Sequence, residues 1–140
     1  MPYLLVVGPE FSTEQRKIMA QELTDGLMNA LQLPEACRNW VTVQFFSYHP
    51  DQIAVGGRLL SEIEERNYYC LFQDIHLSDE KKEKIVTHIF PLLLELLGLD
   101  ASQAEQVKML FNNCAPDDVV IGGCFLHRLL EESVLPVTKW

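Results

Sequence analysis

The chain opens Met1-Pro2. If Met1 is removed, Pro2 becomes a secondary amine at the chain end. An α-amine titrates near neutrality, at about 7.7–8.0, and apolar surroundings disfavour its charged form and lower that value. A neutral amine at physiological pH takes a proton from the carbon beside a carbonyl and returns it elsewhere, or attacks the carbonyl itself. If Met1 is retained, the Pro2 nitrogen is an amide without basicity, and Pro2 is a strand-opening proline whose missing N–H costs nothing. Pro2 alone leaves both readings open. The other reactive side chains form no constellation. His49, His76, His88 and His127 have no metal-ligand spacing with each other or with cysteine, and read as surface, turn or capping residues. Cys37, Cys70, Cys114 and Cys124 show no CxxC spacing and read as free thiols. Two glycine pairs, Gly56-Gly57 and Gly122-Gly123, follow apolar runs and precede no GK[ST], so they read as turns and not phosphate cradles.

These residues belong to a chain of 140 residues, about one domain's length, with 48% apolar residues and net charge −9. The acidic balance argues against nucleic acid and anionic membranes, which both need a basic face. No apolar run approaches the ~20 residues of a membrane span. The opening "MPYLLVV" lacks a basic n-region and a small-residue cleavage site, so it does not read as a secretory signal. The expectation is a cytoplasmic protein with no nucleic-acid or membrane partner and no metal or other cofactor.

The element pattern comes from an internal repeat. "PDQIAVGG" at Pro50 recurs as "PDDVVIGG" at Pro116, 66 residues later. Shifted against itself by 66, the chain matches from Ser12 to Gly57 without a gap, with 11 identities in 46 positions. Each repeat reads alike. A buried strand comes first, "YLLVV" at Tyr3 or "YYCLFQDIHL" at Tyr68. A capping box follows at Ser12 or Ser78. Ile18, Met19, Leu23, Leu27, Ala30 and Leu31 then form one helical stripe, and Ile85, Ile89, Leu92, Leu93, Leu96 and Leu97 form the other. Pro91 falls inside the second helix and should kink it or leave a carbonyl unpaired. A second strand begins at Trp40 or Val107, and the Pro-Asp turn and glycine pair close the unit.

This predicts an α/β fold of two tandem β-α-β repeats, forming a mixed four-stranded sheet with two helices on one face. We read a single domain over residues 1–140, with repeat one at about 2–57, repeat two at about 68–123 and a C-terminal arm at 124–140. The arm's leucines and Trp140 are expected to pack on a neighbouring subunit. With only two helices per chain, the other sheet face needs a cover, and a further copy of the chain supplies one.

An N-terminal "MP", a strand, the helix start "FSTEQRKIMAQELTDGLMNAL", a second strand and a terminal "GG" together resemble the tautomerase superfamily. This is the fold of 4-oxalocrotonate tautomerase and macrophage migration inhibitory factor. The doubled pattern resembles the fused pairs of that superfamily over about Pro2 to Gly123. The resemblance implies a homotrimer, and Pro2 as general base. It also marks departures. Phe11 and Thr42 stand where the tautomerases of keto-diacids carry arginines, and Ile53 stands in place of an aromatic wall. In the second repeat Leu77 and Lys108 occupy the arginine places, so Lys108 is the one cation in a matching position. Tyr68 matches Pro2 and has no free amine. The implied activity is a keto–enol tautomerase acting on a small enolisable carbonyl compound, with Lys108, Phe11, Thr42 and Ile53 at the substrate. A non-catalytic trimer and a ferredoxin-like ligand-binding domain are the alternatives; an antiparallel sheet throughout would favour the last.

Overall fold

A computed structural model of the chain describes residues 1–132; the expectation for Trp140 lies outside the described residues. Strand β1 (Tyr3–Gly8) leads to helix α1 (Thr13–Ala30) and strand β2 (Thr42–Ser47). A two-residue hairpin, β3 (Ala54–Val55) and β4 (Arg58–Leu59), is followed by the short helix α2 (Leu60–Ile63). The second half repeats the order: β5 (Tyr68–Ile75), α3 (Asp79–Leu96), β6 (Val107–Cys114), the hairpin β7 (Val120–Ile121) and β8 (Cys124–Phe125), and α4 (Leu126–Glu131). Both long helices and both hairpins keep their bounds at a shift of 66. The correspondence also runs beyond the glycine pairs, because α2 and α4 start 66 residues apart. Leu60 and Leu126 are both fully buried there, so the start of the C-terminal segment belongs to the repeat.

The four long strands form one sheet in the order β2-β1-β5-β6. Pairs β1–β2 and β5–β6 are parallel and the central pair β1–β5 is antiparallel. The parallel pairs rule out an antiparallel, ferredoxin-like sheet. Helices α1 and α3 cover one face. Leu4 and Val6 of β1, and Cys70 and Phe72 of β5, meet Leu23, Leu27, Ile89 and Leu93 in a single core.

Local chemistry explains most element ends. Ser12 caps α1 by accepting from Gln15 N, and Gln15 answers from its side chain, which completes the box. Ser78 accepts from Lys81 N, but the return bond is missing because lysine has no acceptor. The second capping box is therefore only half made. Helix α3 runs unbroken through Pro91, which is exposed, as is Thr87 one turn earlier, so water can meet the freed carbonyl. Ile18 is 49% exposed and does not belong to the α1 stripe, which the burial of Met19, Leu23 and Leu27 defines. Both glycine pairs take positive φ at both residues, the two-residue turn that matches the twist of a tight hairpin.

Among the described residues, none covers the face away from the helices. Three rows cross it: Thr42, Tyr3, Gln73 and Asn112; Gln44, Leu5, Leu71 and Leu110; Phe46, Val7, Tyr69 and Lys108. The first row is polar: Asn112 Nδ2 donates to Gln73 within it at 3.1 Å, and Tyr3 Oη donates to Gln44 of the next row at 2.9 Å. The other two carry Leu110 and Phe46, which are 60% and 59% exposed.

The antiparallel centre relates the repeats by an approximate two-fold, so the sheet has two equivalent ends. At one, Pro2 comes opposite Asp74, one residue beyond the Tyr3–Gln73 pair. At the other, Gly8 comes opposite Tyr68, one residue beyond Val7–Tyr69. The Tyr68 end is filled by rings. Phe11 lies tilted against Tyr68 at 6.5 Å between centroids, and Tyr48 Oη donates to Asn67 O at 2.5 Å. A methyl at Gly8 would lie 2.7 Å from both Phe11 Cζ and Tyr68 Cδ1. Gly8→Ala is therefore expected to destabilise the chain by about 1–3 kcal/mol, the usual cost of overpacking, in urea unfolding. Adding Tyr68→Leu should recover part of it; a Gly8→Ala chain as stable as wild type would show that the rings yield freely.

Candidate functional site

The end of the sheet that is not plugged holds a pocket of about 180 Å³. Its floor is the start of β1. Pro2 is buried there, and its carbonyl accepts from Thr42 N at 3.0 Å, which ties the first residues to β2. Trp40, at the end of the turn before β2, and Thr42 form one wall. Gln73, Asp74 and Ile75 of β5 form the second, and Cys114 at the end of β6 adjoins them. Val119 and Leu126, from the hairpin region of the second repeat, close the third. The pocket at the head of repeat one is thus completed by the tail of repeat two.

The electrostatics centre on Asp74, whose side chain is 1% exposed. It sits in the β5 run on the helix-facing side, in line with Cys70 and Phe72. The Met1 ammonium donates to Asp74 Oδ1 at 2.7 Å, and Ile75 N donates to the same oxygen at 2.8 Å. Lys81 Nζ, from the first turn of α3, lies 3.5 Å from Oδ2 and donates to Ile75 O at 3.4 Å. Burial pushes the Met1 amine below its ordinary range; Asp74 opposes that shift and Lys81 adds to it. Nucleophilic thiols do not compete here. Burial raises the Cys37 thiol and pushes Cys70 up to about 12, so both stay protonated.

Of the residues singled out in the sequence, Pro2 and Thr42 meet in this pocket. The other three do not line it. Lys108 lies in the row farthest from Tyr3 and Gln73, exposed, with Nζ 5.6 Å from the Tyr69 ring centroid. Phe11 is 4% exposed in the core, against Phe45 and Tyr68. Ile53 is the counterpart, at a shift of 66, of Val119, and its carbonyl accepts from Leu60 N as that of Val119 accepts from Leu126 N. The two-fold assigns it to the Tyr68 end. Sequence reasoning passed over Trp40, Asp74 and Cys114. Asp74 had a signal: it is the one charged residue in the otherwise uncharged run "YYCLFQDI", on the face where a carboxylate costs most.

The histidines take local roles. His49 caps the turn at Pro50, His88 bonds Lys84 O at 2.9 Å, and His127 pairs with Asp117 at 2.7 Å. Among the described residues no group of three or more His, Cys, Asp or Glu is placed to hold a metal ion, and no helix is long and apolar enough to cross a membrane.

No protein-family model matches the chain, and no curated protein matches its sequence. Solved structures do. A native fused 4-OT aligns with a TM-score of 0.78 at 17% identity, over 91% of this chain and 98% of its own. A wild-type fused 4-OT described as an asymmetric trimer gives 0.75 at 18%, over 91% and 98%. Macrophage migration inhibitory factor of Toxoplasma gondii gives 0.66 at 15%, over 86% and 96%. The likeness covers most of the chain, which has the tautomerase-superfamily fold in its fused, two-repeat form.

Proposed function

We propose that the chain, with Met1 removed, is an isomerase that uses the Pro2 amine as general base on a small, uncharged enolisable carbonyl compound. One observation carries this reading. Pro2 is buried at the head of β1 in a lined pocket, where a base can meet a substrate away from bulk water. A free amine on Pro2 takes the proton from the carbon beside the carbonyl, and the electron pair of that C–H bond moves toward the carbonyl oxygen. Thr42, which lines the pocket, offers a hydroxyl donor for that oxygen. The proton returns from the Pro2 ammonium to a different atom, which completes the isomerisation. Among the described residues, the one acidic or basic side chain lining the pocket is Asp74. It repels carboxylates, so the substrate class is a neutral carbonyl and not a diacid. Lys108 lies at the far end of its own sheet and serves Pro2 only across a boundary between subunits.

A homotrimer fits the same reading. The uncovered face carries Phe46, Leu5, Leu71 and Leu110, and a fused 4-OT of this fold is a trimer. Burying that face among three copies removes an apolar surface that a monomer would leave in water. A cytoplasmic location accords with the chain's acidic balance. One observation favours a second reading, a non-catalytic trimer. While Met1 is present, its ammonium occupies Asp74 and Pro2 is an amide.

The test begins with intact mass, which decides whether Pro2 is free. A panel of neutral enols and ketones is then followed for interconversion with wild type and Pro2→Ala. Wild type should exceed buffer, and Pro2→Ala should lose ~10²-fold, within the usual range for a general base. Equal rates in both proteins, or none above buffer, leave the non-catalytic reading. Separately, sedimentation at micromolar concentration should give three times the 16.1 kDa chain mass. Leu110→Glu should lower it by placing a charge in the joined face; a monomeric wild type rejects the trimer.

A further inference from the structure

The two ends of the sheet provide an internal control. Where a free amine can exist, at Pro2, the residue opposite is a carboxylate, Asp74. Where none can exist, at Tyr68, the residue opposite is Gly8, 66 residues before Asp74, and a ring fills the space. A lone carboxylate buried to 1% exposure is costly unless something positive meets it. Oδ1 accepts from Ile75 N and from the Met1 ammonium, and Oδ2 has no hydrogen-bond partner. Lys81 Nζ stands 3.5 Å from Oδ2. The carboxylate is thus placed for the chain's own terminal amine, with room for one more bond.

We propose that Asp74 is the positioning residue for the free amine of mature Pro2, holding its protonated form by an ion pair that Lys81 weakens. The inference rests on the reading of Pro2 as a free amine. Losing Met1 moves the terminal nitrogen back by one residue, within the ~3.8 Å that separates successive Cα atoms. It then lies on the residue opposite Asp74, where antiparallel partners have Cα atoms about 4.5–5.5 Å apart. The groups that face this amine come from every neighbouring element: Asp74 from β5, Lys81 from α3, the Cys37 thiol from the turn before β2, Cys114 from β6, and Tyr3 from β1. Asp74 is the acidic and Lys81 the basic side chain among them, and they act on the amine with opposite sign. Asp74 favours the ammonium and delays the appearance of free base as pH rises. Lys81 and burial favour the neutral amine. After isomerisation begins, the ammonium that carries the substrate's proton is the form Asp74 steadies, so the proton is held in place until it returns.

The test reads the amine directly. The mature chain, checked by intact mass, is labelled with ¹⁵N-proline, and Pro2 is titrated by NMR in wild type, Asp74→Asn and Lys81→Met. In Asp74→Asn the midpoint should fall by about one pH unit, a tenfold weaker hold on the proton. In Lys81→Met it should rise. The acid limb of any Pro2-dependent activity should move with it in each variant. A midpoint unmoved by Asp74→Asn, or both variants shifting the same way, overturns the proposal, as does a chain that keeps Met1. If Asp74→Asn does not fold, Lys81→Met decides alone, and an unmoved midpoint overturns the proposal. The two ideas fail separately. Opposite shifts without any carbonyl activity leave Asp74 in its role and reject the base-catalysis reading. Pro2-dependent activity with unmoved titrations does the reverse.

Discussion

The antiparallel pairing of β1 with β5 is the constraint on which the rest of the molecule depends. Each repeat supplies only two long parallel strands and one long helix, too little to close a core. Joining the first strands of both repeats produces a four-stranded sheet and brings two helices onto the same face. The pairing also fixes register. A slip by one residue would turn Leu4, Val6, Cys70 and Phe72 away from the helices. It would also separate Pro2 from Asp74 and drive Tyr68 away from Gly8. Core, pocket and plug are therefore specified together, by one set of backbone hydrogen bonds.

That shared specification lets two copies of one sequence pattern diverge. A two-fold that relates both ends would ordinarily make two equal pockets. A single chain has one amino terminus, so the ends differ chemically from the start. Repeat two begins at an internal peptide bond, and its aromatic residues are free to serve packing alone. Tyr68, Phe11 and Tyr48 fill the space that at the other end is open, where their counterparts at a shift of 66, Pro2, Leu77 and Cys114, are smaller. The asymmetry follows from where the chain begins and ends, with no change in the backbone plan.

Much of this was legible in the sequence. The ungapped shift of 66 gave the element order twice, because caps, turn residues and helical periodicity are local signals. The half-made cap at Ser78 and the exposure of Ile18 were misjudged for local reasons as well: lysine cannot return the bond, and a stripe's edge is set by what packs beside it. The pocket was only half legible. Pro2 and Thr42 are joined by a parallel pairing within one repeat. Asp74, Cys114, Val119 and Leu126 reach Pro2 only through the β1–β5 register between repeats, which no local signal encodes. Matching Ile53, Phe11 and Lys108 position by position selected the equivalents belonging to the Tyr68 end, since each end borrows its outer wall from the opposite repeat.

The third helical position shows how closely scaffold and pocket are joined. In α1 it holds Gln15, which seals the helix start. In α3 it holds Lys81, which leaves the seal undone and turns toward Asp74. A cation in the first turn opposes the helix dipole, though Asp79 and Glu80 beside it restore negative charge. The opening turn of α3 is therefore tethered to the pocket as well as to its own backbone. Its amide protons belong among those whose exchange with solvent reports the charge inside the pocket, whereas the matching turn of α1 is insulated from it.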